Sequence, residues 1–204
     1  MLKKCLIGLL LLVVSAVLGV FGFSQYHKSP DLFEPSVVGL YQSERPMVEP
    51  ASFRTTQAGQ VMGARDAFDT HTWVGIPYAA PPLGDNRWRA PQPPLPWSGV
   101  REAVEYGQPC TQYWGLLAGV PGEEGDIVGS EDCLTLNVWA PAQNDESNTQ
   151  NYPVMVWIHG GSNDSGTANM YQGHHLAGSQ KVVVVGDNNR MGTLGWMSHT
   201  AIRA

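Results

Sequence analysis

The chain has 204 residues, with 18 acidic against 12 basic side chains and a net charge of −6. That balance excludes a general basic footprint for nucleic acid. With 43% hydrophobic residues, seven Trp and seven Tyr it can build a core, while 23 Gly and 15 Pro argue against an all-helical bundle.

The N-terminus reads as a targeting segment. Lys3 and Lys4 form a basic start, and Cys5 to Phe23 is almost wholly apolar and uncharged. Residues 1–23 are therefore expected to be a secretory signal peptide or an uncleaved transmembrane anchor. The lysines predict an N-terminus inside and the remainder exported, either secreted or periplasmic or membrane-anchored outside the cytoplasm. Residues 24–56 read as a linker or arm: Ser24 to Phe53 has scattered Pro, Ser and Glu with little periodicity, as a tether does. A packed arm is the alternative.

From Gln57 the pattern becomes globular. Gln60 to Arg65 and Thr72 to Ile76 read as short strands joined near Asp69-Thr70. Seven prolines between Pro77 and Pro96 exclude helix interiors and central strands, so Tyr78 to Trp97 is expected to be extended surface, pinned by Trp88 and Trp97. Leu134 to Trp139 alternates apolar and polar residues, as a half-buried strand does. Gln143 to Asn151 is polar and reads as a loop. Val154 to Ile158 is a continuous apolar run ending in His159-Gly160-Gly161, which predicts a fully buried, central strand finishing in a turn. Met170 to Ser179 is expected to hold a short helix, and Val182 to Val185 a second buried strand. Cys5 lies in the apolar segment, leaving Cys110 and Cys133. An even pair in an exported chain suggests one disulfide, contributing about 3 kcal/mol; two free buried thiols would be favoured in a cytosolic chain.

Several longer motifs occur in order. They are Gly75-Ile76-Pro77-Tyr78-Ala79-Ala80-Pro81-Pro82-Leu83-Gly84, Arg87-Trp88, Ala90-Pro91, Pro96-Trp97-Ser98-Gly99-Val100, Tyr106-Gly107 and Cys110-Thr111-Gln112. Ser130-Glu131-Asp132-Cys133-Leu134-Thr135-Leu136-Asn137-Val138-Trp139, Trp157 to Gly161 and Val182 to Ser198 follow. Together, over about Gln57 to Ser198, they resemble the N-terminal portion of the type-B carboxylesterase/cholinesterase family.

The resemblance implies an α/β fold, here an incomplete α/β-hydrolase comprising the N-terminal strands of the central sheet and the oxyanion loop. Residues 57–204 are the N-terminal part of that domain. It implies a Cys110–Cys133 disulfide closing a loop at the rim of the active-site gorge, and an Arg87–Glu131 salt bridge. It assigns the oxyanion-hole backbone N–H groups to Gly161 and Ser162, the second and third glycine positions of a His-Gly-Gly-Gly loop. Ser162 departs from that pattern, as does Asn163 where an aromatic usually follows; Gly166 still matches. A second departure is Asn189, at an aromatic position, where a small cavity or a water is expected in place of the ring.

The resemblance implies a serine esterase acting on a small-molecule carboxylic ester, with no cofactor and no metal. Ser162 and Ser165 are not nucleophiles, because neither has Gly at both −2 and +2. His159 is expected to pack under the loop. His174 and His175 lack the spacing of a metal site. The 204 residues contain no Gly-x-Ser-x-Gly, so the nucleophile, acid and histidine are not among them. The expectation is therefore a fragment that is inactive alone, with a split enzyme completed by a separate C-terminal chain as one alternative. The rivals are a non-catalytic adhesion or binding module and a non-functional gene remnant. Val182 to Val185 is expected to present an exposed apolar edge, making the isolated chain unstable or insoluble.

Overall fold

A computed structural model describes residues 46–142 and 151–202. The apolar N-terminal segment, most of the predicted tether and most of the Gln143–Asn151 loop lie outside these residues. Among the described residues no helix is long and apolar enough to cross a membrane.

The first strands are short: β1 (Arg54–Thr55), β2 (Gln60–Met62) and β3 (Ala64–Arg65). β4 (Thr70–Pro77) is long, and β5 (Val100–Glu102) follows the proline-rich stretch. β6 (Gln112–Tyr113) and β7 (Ile127–Val128) form a small antiparallel ladder inside the disulfide loop. β8 (Thr135–Pro141), β9 (Val154–Ile158), helix α1 (His174–Gln180), β10 (Val183–Asp187) and helix α2 (Gly192–Trp196) complete the order.

The main sheet is mixed and five-stranded, in the order β3-β4-β8-β10-β9. β4 and β10 both run antiparallel to β8, and β9 runs parallel to β10. A parallel pair needs a crossover, and α1 supplies it. The helix buries Ala177 against Val74, Trp139 and Val184. It lies close because Gly173 and Gly178 lack side chains: a Cβ would come within 2.8 Å of Trp139 at the first and 2.3 Å of the Phe68 carbonyl at the second. The register between β4 and β8 slips between Trp73 and Ile76, where Gly75 adopts φ 68°.

Four sequence expectations change. The Val154–Ile158 run is neither central nor buried. β9 is the sheet edge, with Val154, Val156 and Ile158 64%, 61% and 71% exposed. Conversely, Val183–Asp187 is interior, ladder-bonded to β8 on one side and β9 on the other. The run of apolar residues marks a strand built to be covered on both faces, but it does not say which strand the crossover returns beside β8. In β8 the face that is most buried carries Asn137 and Trp139, at 1% exposure each, while Leu136 and Val138 are only partly covered. The short helix expected within Met170–Ser179 is present as His174–Gln180, with Ala168–Met170 a separate 3-10 turn before it.

Finally, the folded part begins before Gln57. Pro50–Ser52 is a 3-10 turn whose Ser52 is fully buried. Its hydroxyl accepts from the Gly63 N–H at 2.7 Å and donates to the Glu49 carbonyl at 2.5 Å. The Trp73 indole N–H donates to the Ser52 carbonyl at 2.9 Å. The proline-rich stretch is held by its tryptophans. Trp88 donates to the Thr193 carbonyl and Trp97 to the Gln60 carbonyl, both at 2.9 Å.

Candidate oxyanion loop and its supports

The loop leaves β9 through His159 and folds back on itself. Asp164 and Ser165 both donate their N–H to the Gly161 carbonyl at 3.0 Å. Gly161 sits at φ 124°, and a Cβ there would lie 1.7 Å from the Ser165 carbonyl oxygen, so only glycine fits. Ser162 and Asn163 are both left-handed, at φ 59° and 62°. Asparagine tolerates that region; for serine it costs roughly 1–2 kcal/mol. Among the described residues the Gly161 and Ser162 N–H groups donate to no acceptor. Adjacent free donors at a strand end form a ready site for a negatively charged oxygen.

His159 is half-buried, with Nδ1 3.0 Å from the Gly160 carbonyl. Its ring lies against Gly166: a Cβ on that residue would meet Nδ1 at 2.6 Å and the Gly160 carbonyl at 2.4 Å. Burial raises the Asp187 carboxyl above its ordinary range, and the nearby His159 charge acts in the opposite direction.

Behind the loop lies a knot of buried amides that the sequence reading missed. Asn188 Oδ1 accepts from the Thr167 hydroxyl at 2.9 Å and the Ala168 N–H at 2.8 Å. Asn137 Oδ1 accepts from the Gly75 N–H at 3.0 Å, and its amide donates to Asn169 Oδ1 at 3.2 Å. Asn169 in turn donates to the Gly107 carbonyl at 2.7 Å. Tyr78 donates its hydroxyl to the Asn188 carbonyl at 2.8 Å, and burial, more than the neighbouring Asp187, pushes its pKa up to about 12. The available signal was Asn137, a residue disfavoured in strands and placed mid-strand between apolar neighbours.

The second cluster lies at the disulfide. Cys110 and Cys133 are bonded, with Cα atoms 5.0 Å apart, and pack with Ala79, Leu134 and Met191. Arg87 meets Glu131 through two parallel hydrogen bonds, Nε to Oε2 at 2.6 Å and Nη2 to Oε1 at 2.5 Å. The hydrogen bond and charge of Glu131 raise the Arg87 pKa further. These four residues line one small cavity together with Arg190 and Met191. The disulfide pair and the ion pair are thus brought together, while Gly161 and Ser162 stand on a separate loop. At the other departure, Asn189 Nδ2 lies 3.9 Å from the Met191 sulfur, and its buried Oδ1 has no partner among the described residues. His174 and His175 both contact Phe68, with ring centroids 4.5 and 5.5 Å away, and among the described residues no group of His, Cys, Asp and Glu is placed to hold a metal.

Residues 50–203 match the carboxylesterase family. Over 157 residues the chain is 41% identical to a fumonisin B1 esterase of Sphingopyxis macrogoltabida, covering 76% of this chain and 27% of that protein. Over 149 residues it is 42% identical to a para-nitrobenzyl esterase of Bacillus subtilis, covering 70% and 28%. A solved PNB esterase superposes with a TM-score of 0.65 at 42% identity, over 74% of this chain and 30% of that one. A solved Geobacillus stearothermophilus carboxylesterase gives 0.59 at 35% identity, over 71% and 28%. The chain thus spans little more than a quarter of the length of these curated relatives. The mixed sheet, like the sequence that forms it, is similar to those of esterases, and this chain belongs to the carboxylesterase family.

Proposed function

We propose that this chain carries the oxyanion loop and gorge-rim loop of a serine esterase that hydrolyses small-molecule carboxylic esters. The observation that supports this most is the pair of N–H groups at Gly161 and Ser162, adjacent, unaccepted and held at the end of a sheet strand. Ester hydrolysis passes through a tetrahedral oxyanion, and each preorganised donor aimed at it contributes roughly 2.7–4 kcal/mol. The Ser–His–acid triad that would form and hydrolyse the acyl-enzyme comes from outside these 204 residues, which contain no Gly-x-Ser-x-Gly. It is supplied by a continuation of the chain or by a separate chain, and these residues alone do not turn over an ester. Residues 1–23 act as a signal or anchor, the stretch before Pro50 as an arm, and the chain from Pro50 onward as the N-terminal part of the esterase domain, outside the cytoplasm. The Arg87–Glu131 pair and the disulfide hold the gorge rim.

One observation favours a second reading, a non-catalytic binding module. At Ser162 a Cβ and a hydroxyl stand in the left-handed conformation that glycine would adopt without strain, beside the approach of an acyl group. Reading the coding frame past codon 204 separates the two. The esterase reading expects a Gly-x-Ser-x-Gly elbow followed by an acid and a histidine, and p-nitrophenyl ester turnover only when that part is joined. An elbow without its serine overturns it in favour of a binding module; a stop codon with no complementary chain leaves a gene remnant.

A further inference from the structure

The side chain that joins the two clusters is Gln112, only 5% exposed and inside the disulfide loop. Its amide is fully used. Nε2 donates to the Cys110 carbonyl and to the Gly166 carbonyl, both at 2.9 Å, and Oε1 accepts from the Gly166 N–H at 2.7 Å. A primary amide has two donor hydrogens and an acceptor oxygen, so a single planar group holds both the N–H and the carbonyl of Gly166 while donating to the Cys110 carbonyl. The anchor is itself rigid: Gln112 pairs with Val128 in the β6–β7 ladder, and Cys110 bridges to Ser130. Gly166 has no freedom to compensate for a shift, being wedged at φ 124° against the Gly160 carbonyl and the His159 ring. Gly160 is the residue directly before the Gly161 donor.

We infer that Gln112 is a positioning residue for the oxyanion loop, transmitting the closed state of the Cys110–Cys133 loop to the Gly161 and Ser162 donors. The contact path is continuous: disulfide, Cys110 carbonyl, Gln112 amide, Gly166 peptide, Gly160 carbonyl, Gly161 N–H. Loss of the disulfide releases Cys110, tilts the Gln112 amide and loosens the donors without any change in the sheet. This deepens the esterase reading and takes its functional meaning from it, but the physical coupling holds for any function of the loop.

Backbone amide exchange of the full chain, followed by mass spectrometry under oxidising conditions, tests it. Gln112→Leu keeps the approximate volume and removes all three hydrogen bonds. Gln112→Glu keeps the acceptor for Gly166 and loses the two donations. In Gln112→Leu, exchange over residues 160–167 rises about tenfold, the factor that about 1.4 kcal/mol of lost protection gives. Gln112→Glu gives a rise at least as large, because its carboxylate faces the Cys110 and Gly166 carbonyls at a buried position, and peptides from β4, β8 and β10 keep their rates in both. Replacing Cys110 and Cys133 together by Ser also raises loop exchange, but adds nothing to it in the Gln112→Leu background, the signature of one shared path. A loop left unchanged in Gln112→Leu, a rise spread equally over loop and sheet in both variants, or a disulfide effect undiminished in the Gln112→Leu background each overturns the inference. Because no ester is involved, these outcomes are independent of whether the coding frame continues into a nucleophile elbow. Failure here counts against Gln112, and failure there against the esterase reading.

Discussion

The β9 strand and the loop that leaves it are contiguous in sequence and opposite in physical state. β9 is apolar throughout and exposed throughout. Four of the five residues that follow Ser165, Gly166 to Asn169, are buried although two of them are polar, and both polar side chains there have partners. The loop closes its own hydrogen bonds through Gln112, Asn137 and Asn188, side chains of this same chain. The strand closes its hydrogen bonds on one side only, toward β10. Its Met155 and Trp157 form one wall of an open groove of about 230 Å³ with Trp139, Tyr171, Leu176 and Val184. Directional polar contacts can thus complete a functional loop locally, whereas apolar burial depends on surfaces that must come from elsewhere.

The largest effect is expected where that difference is greatest. An exposed apolar edge strand is a template for pairing with another copy. Replacing Val156 and Ile158 with Lys puts charge on one face of the edge, at positions 61% and 71% exposed. Substitution at such exposed positions costs within about 0.5 kcal/mol of stability. The expected outcome is a chain that is aggregated as it stands and a double variant that elutes as a dispersed monomer, read by analytical ultracentrifugation. A parent chain that is already monomeric and unfolds cooperatively, or a variant that stays associated, breaks the comparison.

In that dispersed background the loop can be probed next. Asn188→Ala leaves the Thr167 hydroxyl and the Ala168 N–H without their shared acceptor. Each unsatisfied buried group costs about 1–3 kcal/mol, so a loss near 3 kcal/mol is expected in the urea-unfolding free energy. A loss below about 1 kcal/mol would mean that water satisfies those groups, and the knot is not what holds the loop.

Much of this was legible in the residues, and what was not has physical causes. The strands at Thr72–Ile76, Leu134–Trp139 and Val182–Val185 follow from apolar patterning, and the glycine turn after Ile158 from its composition. The edge position of β9 could not be read, because hydrophobicity reports what a residue prefers to touch and not whether anything touches it. Asn169, Asn188 and Gln112 were invisible for the converse reason, and Asn137 showed only as a residue out of place in a strand. A buried amide and a solvated one are the same letter, and only long-range partners such as the Gly107 carbonyl, 62 residues from Asn169, tell them apart. The disulfide was suggested by the cysteine count as well as by family resemblance, whereas the Arg87–Glu131 pair was named only through the resemblance, since a separation of 44 residues carries no local pattern.

The smallest effect expected is a pH dependence arising far from the loop. His71, on β4, is 1% exposed, and neither ring nitrogen has a partner among the described residues. It packs edge-on against Trp73, with centroids 5.8 Å apart. Burial lowers its pKa below 6.5, and the charges of Arg54 and Arg65 lower it further, outweighing Glu49 and Asp69. The fold therefore holds the ring neutral. Its contribution is complete above pH 6.5, and is lost as the pH falls below that value toward the depressed folded pKa, at no more than about 1.4 kcal/mol per pH unit. Asp187, raised by burial, has the opposite sign: its contribution is present at acid pH and lost as the pH climbs from 3.8 through its raised value. His71→Leu should flatten the unfolding free energy just below pH 6.5 and leave the Asp187 component untouched. A slope there that survives His71→Leu would show that the dependence does not come from His71, and that the β4 core accepts a charged ring.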